Sequence, residues 1–203
     1  MKKCRQIFLV LSFLAGSAFS SSAAGRGDSF FHYGLEWGYT STIIHLYHNN
    51  YIAEEGYRVD KNAMEWCYNS NGHFYANAGL NYNGRHSSSI CIGYIGIKQE
   101  RHVLPLTFRQ TFFFNSYDSD GALCFADAGL CIHEKERNTF IGRAGTGWRM
   151  ALSTHCSIDF LLSFQISYDH PKVIDNEQEV EKEHLRRNDS TYGGVNFGIA
   201  VNF

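Results

Sequence analysis

The chain has 203 residues, of which 44% are hydrophobic and 15% are aromatic, with only 2 prolines and a formal net charge of −2. This length suits one domain, and so many aromatic residues exclude extended disorder. No run of about 18 apolar residues occurs, which excludes a helical membrane protein. Many aromatic residues and few prolines favour long β-strands instead.

Residues 1–24 have the pattern of a cleavable secretory signal peptide. Lys2, Lys3 and Arg5 precede an apolar core over residues 7–14, and small residues up to Ala24 offer cleavage positions. We therefore expect an exported protein that is cleaved after residue 24 and whose barrel covers residues 29–203. Cleavage would remove three of the 18 basic residues and none of the 20 acidic ones, so the mature chain is more acidic. This balance argues against nucleic acid as a partner.

Apolar residues alternate with polar or small residues in eight segments of the mature part, which predicts eight β-strands. In the first segment, Leu35 and Trp37 share one face, and Gly34 and Glu36 share the other. Gln110 falls on the apolar face of the fourth segment and suggests a β-bulge there. The segments cover residues 33–40, 74–82, 89–94, 104–114, 126–130, 143–150, 157–168 and 194–203.

The connections between these segments differ in length, as in an outer-membrane barrel with short turns on one side and long loops on the other. Asn83-Gly84-Arg85 predicts a tight hairpin. Residues 48–71 and 169–190 are predicted to be long, polar external loops. Ten strands remain an alternative, if 48–71 contains a hairpin around Tyr51 and Tyr57.

Charged residues on the non-apolar faces indicate which side of the barrel is the interior. They are few and accompanied by glycine, serine and asparagine, which suits the crowded interior of an eight-stranded barrel where charges must pair. We expect a salt-bridge network that helps to fill the lumen, with no water-filled pore. Its members are Glu36, Arg109, Asp127, Arg143, Arg149 and Asp159. The aromatic residues Tyr33, Tyr82, Phe114 and Phe203 are expected at the periplasmic rim.

The segment from Tyr192 to Phe203 resembles the C-terminal strand of small Gram-negative outer-membrane β-barrel (porin-like) proteins. Residues 33–39 and 145–150 are similar to segments of the same proteins. The resemblance implies an antiparallel, up-and-down transmembrane barrel in the outer membrane. It also implies that the barrel-assembly machinery reads the strand that ends at Phe203. The resemblance carries no catalytic or binding motif.

The sequence predicts no catalytic, cofactor-binding or metal-binding site. His155 and Ser157 have the spacing of lipid A deacylases, but they fall on the inward-facing phase and no acidic third member is evident. The histidines His45, His48, His170 and His184 are interpreted as ordinary residues of polar loops. Residues 115–121 resemble only part of a calcium loop, and the glycines of 142–147 lie within a strand, which excludes a phosphate loop.

Five cysteines remain after processing, and their spacing matches no metal motif. We interpret them as small residues of the barrel faces, while export would permit one disulfide. They are Cys67, Cys91, Cys124, Cys131 and Cys156.

The sequence therefore predicts an outer-membrane barrel with a structural or surface-interaction role, surrounded by outer-membrane lipid and without enzymatic activity. An extracellular ligand at the loops is a hypothesis that rests on their placement. Two alternatives stay open: a lipid-modifying barrel enzyme, and a soluble lipocalin-like barrel that binds an apolar ligand inside.

Overall fold

The computed structural model describes residues 30–98, 101–132, 139–153, 156–175, 178–181 and 183–203. The predicted signal peptide lies outside these ranges. None of the described residues forms a helix long and apolar enough to cross a membrane. The strands in these ranges are β1 Phe30–Ile52, β2 Arg58–Tyr82, β3 His86–Lys98, β4 Arg101–Phe113, β5 Gly121–Ile132, β6 Thr139–Ser153, β7 Cys156–Asp169, β8 Ile174–Asp175, β9 Gln178–Glu179 and β10 Leu185–Asn202.

Strands β1 to β7 and β10 form one closed, antiparallel barrel in which each strand pairs with its neighbours in the chain, and β10 closes the ring against β1. Each of the eight predicted segments lies in a different one of these strands, so the eight-stranded, up-and-down prediction is confirmed. Register partners can be followed from strand to strand around the ring. The path that starts at Tyr168 of β7 returns to that strand at Ile158 and not at Tyr168. This stagger inclines the strands to the barrel axis by roughly 35–45°.

The apolar face of every strand points outward, which is the polarity of a transmembrane barrel. Trp37 is 46% exposed and its neighbour Glu36 only 2% exposed, because successive side chains of a strand point to opposite faces. The same reversal holds on β7, where Phe164 is outside and Ser163 is buried. The lipocalin-like alternative requires an apolar interior and a charged exterior, so it is wrong.

We call the end of the barrel where β1 begins and β10 ends the lower end, and the opposite end the upper end. At the lower end Phe203 stacks on Tyr33 with ring centroids 5.6 Å apart. The Phe203 amide also donates to the Tyr33 carbonyl at 2.8 Å. Phe114 is exposed there too. These contacts place the predicted aromatic rim at one end of the barrel.

The connection between β2 and β3 is the tight turn predicted at residues 83–85. Three residues separate the register partners Tyr82 and His86, and Asn83 and Gly84 have φ values of 61° and 69°, a left-handed conformation that asparagine and glycine adopt readily. The Asn83 side-chain oxygen accepts from the amide of Arg85 at 3.2 Å. The turn therefore forms for the reason expected from the sequence.

The β-bulge expected at Gln110 does not occur. Gln110 is in regular register between Ser88 and Ala126, and its amide forms hydrogen bonds with Ser88 and Tyr82 on the outer face. Hydrogen bonds to neighbouring side chains thus accommodate this polar residue, and the strand keeps its regular pairing. An irregularity of β1 lies instead between Thr42 and Ile44, in its pairing with both neighbours.

Candidate functional site

The charges predicted to lie inside the barrel form a closed ionic ring near its middle. Glu36 lies 2.7 Å from Arg109 and 2.9 Å from Arg143. Asp127 lies 3.0 Å from the first arginine and 2.8 Å from the second. Both guanidinium groups also cover aromatic rings, with Arg143 4.0 Å from the centre of Tyr75. The four charges are buried, and each has two oppositely charged partners.

A separate buried ion pair lies nearer the lower end. Arg149 donates to both carboxylate oxygens of Asp159 at 2.7 Å, a bidentate arrangement that is stronger than a single contact. The guanidinium packs against the rings of Phe113 and Tyr117, 4.3 and 4.2 Å from their centres. Asn202 adds a hydrogen bond of 2.8 Å to Asp159. The prediction that the internal charges pair is therefore confirmed for all six residues.

Apolar side chains fill the lumen on both sides of the ionic ring. The upper apolar layer consists of Ile95, Ile97, Val103, Cys131, Ile141 and Tyr192. The lower apolar layer consists of Phe113, Tyr117, Leu123, Phe125, Leu161 and Ala200. A cavity beside the lower layer has only about 30 Å³, about the space that a single water occupies. The lumen is thus packed with side chains, as predicted.

The segment predicted as an external loop at 48–71 is instead mostly strand. From Ile44 with Trp66, the pairing of β1 with β2 continues in regular register to Ile52 and Arg58. The pairing of β1 with β10 continues to Tyr51 and Leu185. In contrast, β7 ends at Asp169. Residues 43–52, 58–69 and 185–191 therefore form a three-stranded sheet, which we call the upper sheet. Ser190 and Thr191 still pair with β7, and the sheet above them extends beyond the barrel. The hairpin does contain Tyr51 and Tyr57, yet it lengthens two barrel strands and adds none.

The irregularity at Thr42 and Ile44 lies where β1 enters the upper sheet, and it exchanges the two faces of the strand. Below it the odd-numbered Tyr39 is 67% exposed, whereas above it Tyr47 is only 8% exposed and Leu46 points outward. An extra residue in one strand has this effect because the side-chain period is two. The bulge thus lets apolar residues stay outside in both parts of β1.

One edge of the upper sheet, formed by β2, has no second neighbouring strand among the described residues. The pairing of β2 with β3 begins only at His73 and Ile95, so residues 58–69 of β2 pair with β1 alone among the residues that the structure describes. Tyr68 on this strand is 84% exposed. An unpaired strand presents backbone donors and acceptors that can hydrogen-bond to another chain.

The acidic segment predicted as a loop at 169–190 is partly ordered as well. Its first half contains the small β8–β9 ladder, and Val173 and Val180 pack with Tyr51 and Ala53 into a small apolar core under the tip of the upper sheet. The amide of Ile52 donates to the carbonyl of His184 at 3.0 Å. The second half of the segment belongs to β10. Together the described residues of 169–190 form a compact structure above the barrel, which we call the cap.

Asp189 connects the cap to the top of the barrel. It accepts hydrogen bonds of 2.6 Å from the Tyr168 hydroxyl and from Nε of Arg187, and Nδ1 of His170 lies 3.3 Å away. Partial burial acts to raise the pKa of Asp189, but the Tyr168 and Arg187 hydrogen bonds hold that pKa below its usual range. Asp189 is thus a carboxylate that the surrounding donors keep ionised.

The residues considered as candidate sites from the sequence are dispersed. Ser157 is buried and faces the lumen, which does not suit a lipid-facing nucleophile, and His155 lies outside the described residues. His45 bonds to Ser190 at 3.2 Å, and His48 bonds to Asp60 at 2.8 Å. Among the described residues, no group of three or more histidines, cysteines or acidic residues could hold a metal ion.

The predicted turn at 115–121 and the cysteines play structural parts. Asn115 donates to the backbone carbonyl of Asp120 at 2.8 Å, so its side chain closes the turn. Cys91 and Cys131 are buried inside the barrel. No disulfide joins any two of Cys91, Cys124, Cys131 and Cys156, and the sulfur of Cys67 lies 4.0 Å from the carbonyl of Thr42.

No protein-family model and no curated protein matches the chain, whereas several solved structures are similar in fold. Neisserial surface protein A is 10% identical with a TM-score of 0.48, over 87% of this chain and 100% of that one. The N-terminal β-barrel domain of OprF from Pseudomonas aeruginosa is 12% identical with a TM-score of 0.40, over 84% and 97%. Outer membrane protein OprG from the same organism is 8% identical with a TM-score of 0.39, over 87% and 98%.

The upper sheet was not predicted from the sequence, although the sequence contains a pattern that indicates it. Outward-facing Met64, Trp66 and Tyr68 continue the alternation of β2 above the barrel. Gly56, with a φ of 85°, marks the turn at the tip of the hairpin, as glycine often does. Asparagines in both strands concealed this signal, because asparagine is depleted in strands.

Proposed function

We propose that the protein is exported to the outer membrane, where the barrel acts as an anchor that presents the cap outside the cell for interaction with another protein. The observation that carries this proposal is the edge of β2 over residues 58–66, which pairs with β1 alone among the described residues and is held above a barrel with an apolar exterior. The barrel-assembly machinery and outer-membrane lipid are the partners expected during and after insertion.

The packed lumen supports an anchoring role over transport. Apolar layers lie on both sides of the ionic ring, and the ring's carboxylates are held by arginines. A conduit for ions would need polar groups along a continuous path. We also propose that the protein is not an enzyme, since Ser157 faces inward and a lipid-facing nucleophile would have to face outward.

The partner expected at the β2 edge is an extended segment of a different protein. Added strands bind to exposed sheet edges through backbone hydrogen bonds, while side chains supply specificity. Two copies in one membrane, related by a two-fold axis along the membrane normal, would bring their β2 edges together running in the same direction. A two-fold pair of identical edges can hydrogen-bond only when antiparallel, so this geometry disfavours self-pairing within one membrane.

Location and orientation can be tested with two insertions of one epitope tag. One tag follows Glu55 at the tip of the upper sheet, and its matched control follows Arg85 in the lower turn. We expect both proteins in the outer-membrane fraction, with faster migration of unboiled than of boiled samples. Antibody should reach only the first tag on intact cells. A soluble protein without a mobility shift, or access to the second tag alone, would contradict the proposal.

The surface role can be tested by removing the upper hairpin in register. Tyr47 and Ala63 are register partners, so residues 48–62 can be replaced by an Asn-Gly turn without shifting the barrel strands. We expect cells with the shortened protein to lose adhesion to protein-coated surfaces and to keep the heat-dependent mobility shift. The control replaces only residues 54–56. Equal adhesion of both variants and of the complete protein would refute the surface role.

A further inference from the structure

The apolar outer surface does not end at the rim of the barrel on the side of β1 and β2. Ser41 and Ser70, whose hydroxyls are 3.3 Å apart, interrupt the apolar belt above Tyr39. Beyond these serines the outer face becomes apolar again, since Trp66 is 63% exposed and Met64 is 52% exposed. The same face of the same strands therefore carries two apolar regions, one on the barrel and one on the upper sheet.

The second apolar region is one continuous patch with a sharp upper boundary. Ile44 is the register partner of Trp66, and Leu46 is the partner of Met64, so the four side chains adjoin; we call them the outer patch. The next outward pair is His48 with Asn62, and both are polar. The change from apolar to polar surface thus lies above Leu46, well beyond the two serines.

A groove adjoins the outer patch on its β10 side. It has a volume of about 380 Å³, and its lining includes Leu46, Thr191, Tyr168, His48, Asn62 and Arg187. Leu46 belongs to both the groove and the outer patch, so an apolar group on the patch and a polar group in the groove can belong to one ligand. Tyr168 at the top of β7 borders the groove from the side of the barrel.

The polar wall of the groove is rich in hydrogen-bond donors. Arg187 uses Nε to hold Asp189, while its side chain is 49% exposed, and a guanidinium has four further N–H groups. The Asn62 amide and the Thr191 hydroxyl can also donate. Asp189 is already bound by Tyr168 and Arg187, so its charge is compensated. Donors in this arrangement suit a phosphate- or hydroxyl-bearing group.

We propose that the outer patch and the groove together bind an outer-leaflet lipid with a phosphate-bearing headgroup. The headgroup occupies the groove beside Arg187, and apolar parts of the lipid cover Leu46, Met64 and Trp66. Two observations favour a lipid over a soluble ligand: the patch continues the lipid-facing side of the barrel, and it contains tryptophan, which is enriched where apolar and aqueous phases meet. The inference rests on the outer-membrane location proposed above.

The headgroup contact can be tested with purified full-length protein in two kinds of nanodisc. One contains only phosphatidylcholine, and the other also contains lipid A, a phosphorylated glycolipid. Lipid retained by the protein is counted by native mass spectrometry. We expect lipid A to be retained, and Arg187→Ala to weaken retention about tenfold, the effect of one charge-assisted hydrogen bond. The matched control is Arg186→Ala, the neighbouring exposed arginine, which does not line the groove.

The apolar contact can be tested through tryptophan fluorescence. The chain has three tryptophans, so Trp37→Phe with Trp148→Phe leaves Trp66 as the only one. Lipids brominated in the acyl chain should quench Trp66, though less than they quench Trp37 in the reciprocal variant that retains Trp37 alone. Quenching of Trp66 supports the proposal. Emission typical of full exposure to water, without quenching, overturns it.

The remaining outcomes distinguish the sources of the ligand. Inorganic phosphate that binds in detergent and is lost in Arg187→Ala would show a soluble anion site and overturn the lipid assignment. Dimers in nanodiscs that Trp66→Ala dissociates would show that a second copy covers the patch. Each variant is first checked for the heat-dependent mobility shift. A protein that passes this check and lies in the outer membrane, yet retains no lipid A, refutes this inference and leaves the proposed function standing.

Discussion

The hydroxyl of Tyr168 donates a hydrogen bond of 2.6 Å to the carboxylate of Asp189. Tyr168 is near the upper end of β7, and its register partner on β10 is Thr191. The bond therefore joins the top of the membrane barrel to the upper sheet two residues beyond that pair. Arg187 binds the other carboxylate oxygen, so one acidic side chain links the top of β7 with β10 above the last pair of these two strands.

Acid should loosen this junction. The pKa of Asp189 is lower in the folded protein than in an unfolded chain, so its contribution to stability is complete above the unfolded value of about 3.9. That contribution decreases as the pH falls toward the folded pKa. We expect residues 185–191 to be less protected from hydrogen exchange at about pH 3 than at neutral pH, when each rate is divided by the intrinsic exchange rate at the same pH. The exchange of residues 158–166 in the barrel serves as the internal control.

The variant Asp189→Asn separates this effect from general acid damage. It removes the titrating group, so residues 185–191 should exchange faster at neutral pH and lose most of their acid response. An unchanged acid response in this variant would assign the loosening to other carboxylates.

Replacing Arg143 should strongly destabilise the barrel. Arg143 lies 2.9 Å from Glu36 and 2.8 Å from Asp127, so Arg143→Met leaves two buried carboxylates short of a partner. We expect a loss of about 3–5 kcal/mol in the free energy of unfolding, measured by urea titration in detergent micelles. Arg58→Met is the control, because the exposed Arg58–Asp60 pair at 3.8 Å should contribute less than about 1 kcal/mol. Equal losses would mean that the ionic ring does not stabilise the fold.

The protein should not conduct ions in planar bilayers, because apolar layers close the lumen above and below the ionic ring. A general porin measured in the same bilayers provides the positive control. Ile141→Ala should cost about 2–5 kcal/mol of stability and still give no current, since the other members of the upper layer remain. Steady single-channel currents from the unmodified protein would refute a closed lumen.

Cysteine labelling should distinguish the interior of the barrel from its ends. Cys91 and Cys131 are 0% exposed, so a polar maleimide should leave them unmodified in the folded protein and label them after boiling in detergent. Cys156, at the lower end of β7, is partly exposed and should react without boiling. Mass spectrometry of the tryptic peptides separates the three sites. Labelling of Cys91 before boiling would show that its side chain is not inside the barrel, which contradicts the structure.

The barrel strands and their faces could be predicted because, in a strand with one apolar face, only one choice of outward-facing residues keeps the polar side chains out of the lipid. Glu36 and Trp37 are adjacent, and a shift by one residue would put the carboxylate into lipid. The pairing of charges could not be predicted in the same way. Glu36 on β1 meets Arg143 on β6, two strands that are not neighbours, and this contact depends on the diameter and stagger of the closed barrel.

The upper sheet could not be predicted with the same rules, since both of its faces contain polar residues. Tyr47 and Tyr51 face the cap, while Leu46 and Met64 face outward. Because both faces of the sheet are partly covered, apolar and polar residues alternate only weakly along its strands. The bulge near Ile44 adds to the difficulty, because it breaks the period of β1 at the point where the barrel ends. The sequence signal for the upper sheet is a pair of short alternating patterns in opposite phase, one on each side of the bulge.

The long ladder between β1 and β10 has a consequence for how the barrel assembles. Every other barrel ladder joins strands that follow one another in the chain, whereas this one joins the first to the last and runs from Gly34 with Asn202 to Tyr51 with Leu185. Bringing distant segments together has the largest entropic cost, and each additional register pair offsets part of it. The pairs above the bulge lengthen this seam beyond what the membrane requires. The upper sheet therefore also helps to close the ring, and shortening it should slow the final step of closure.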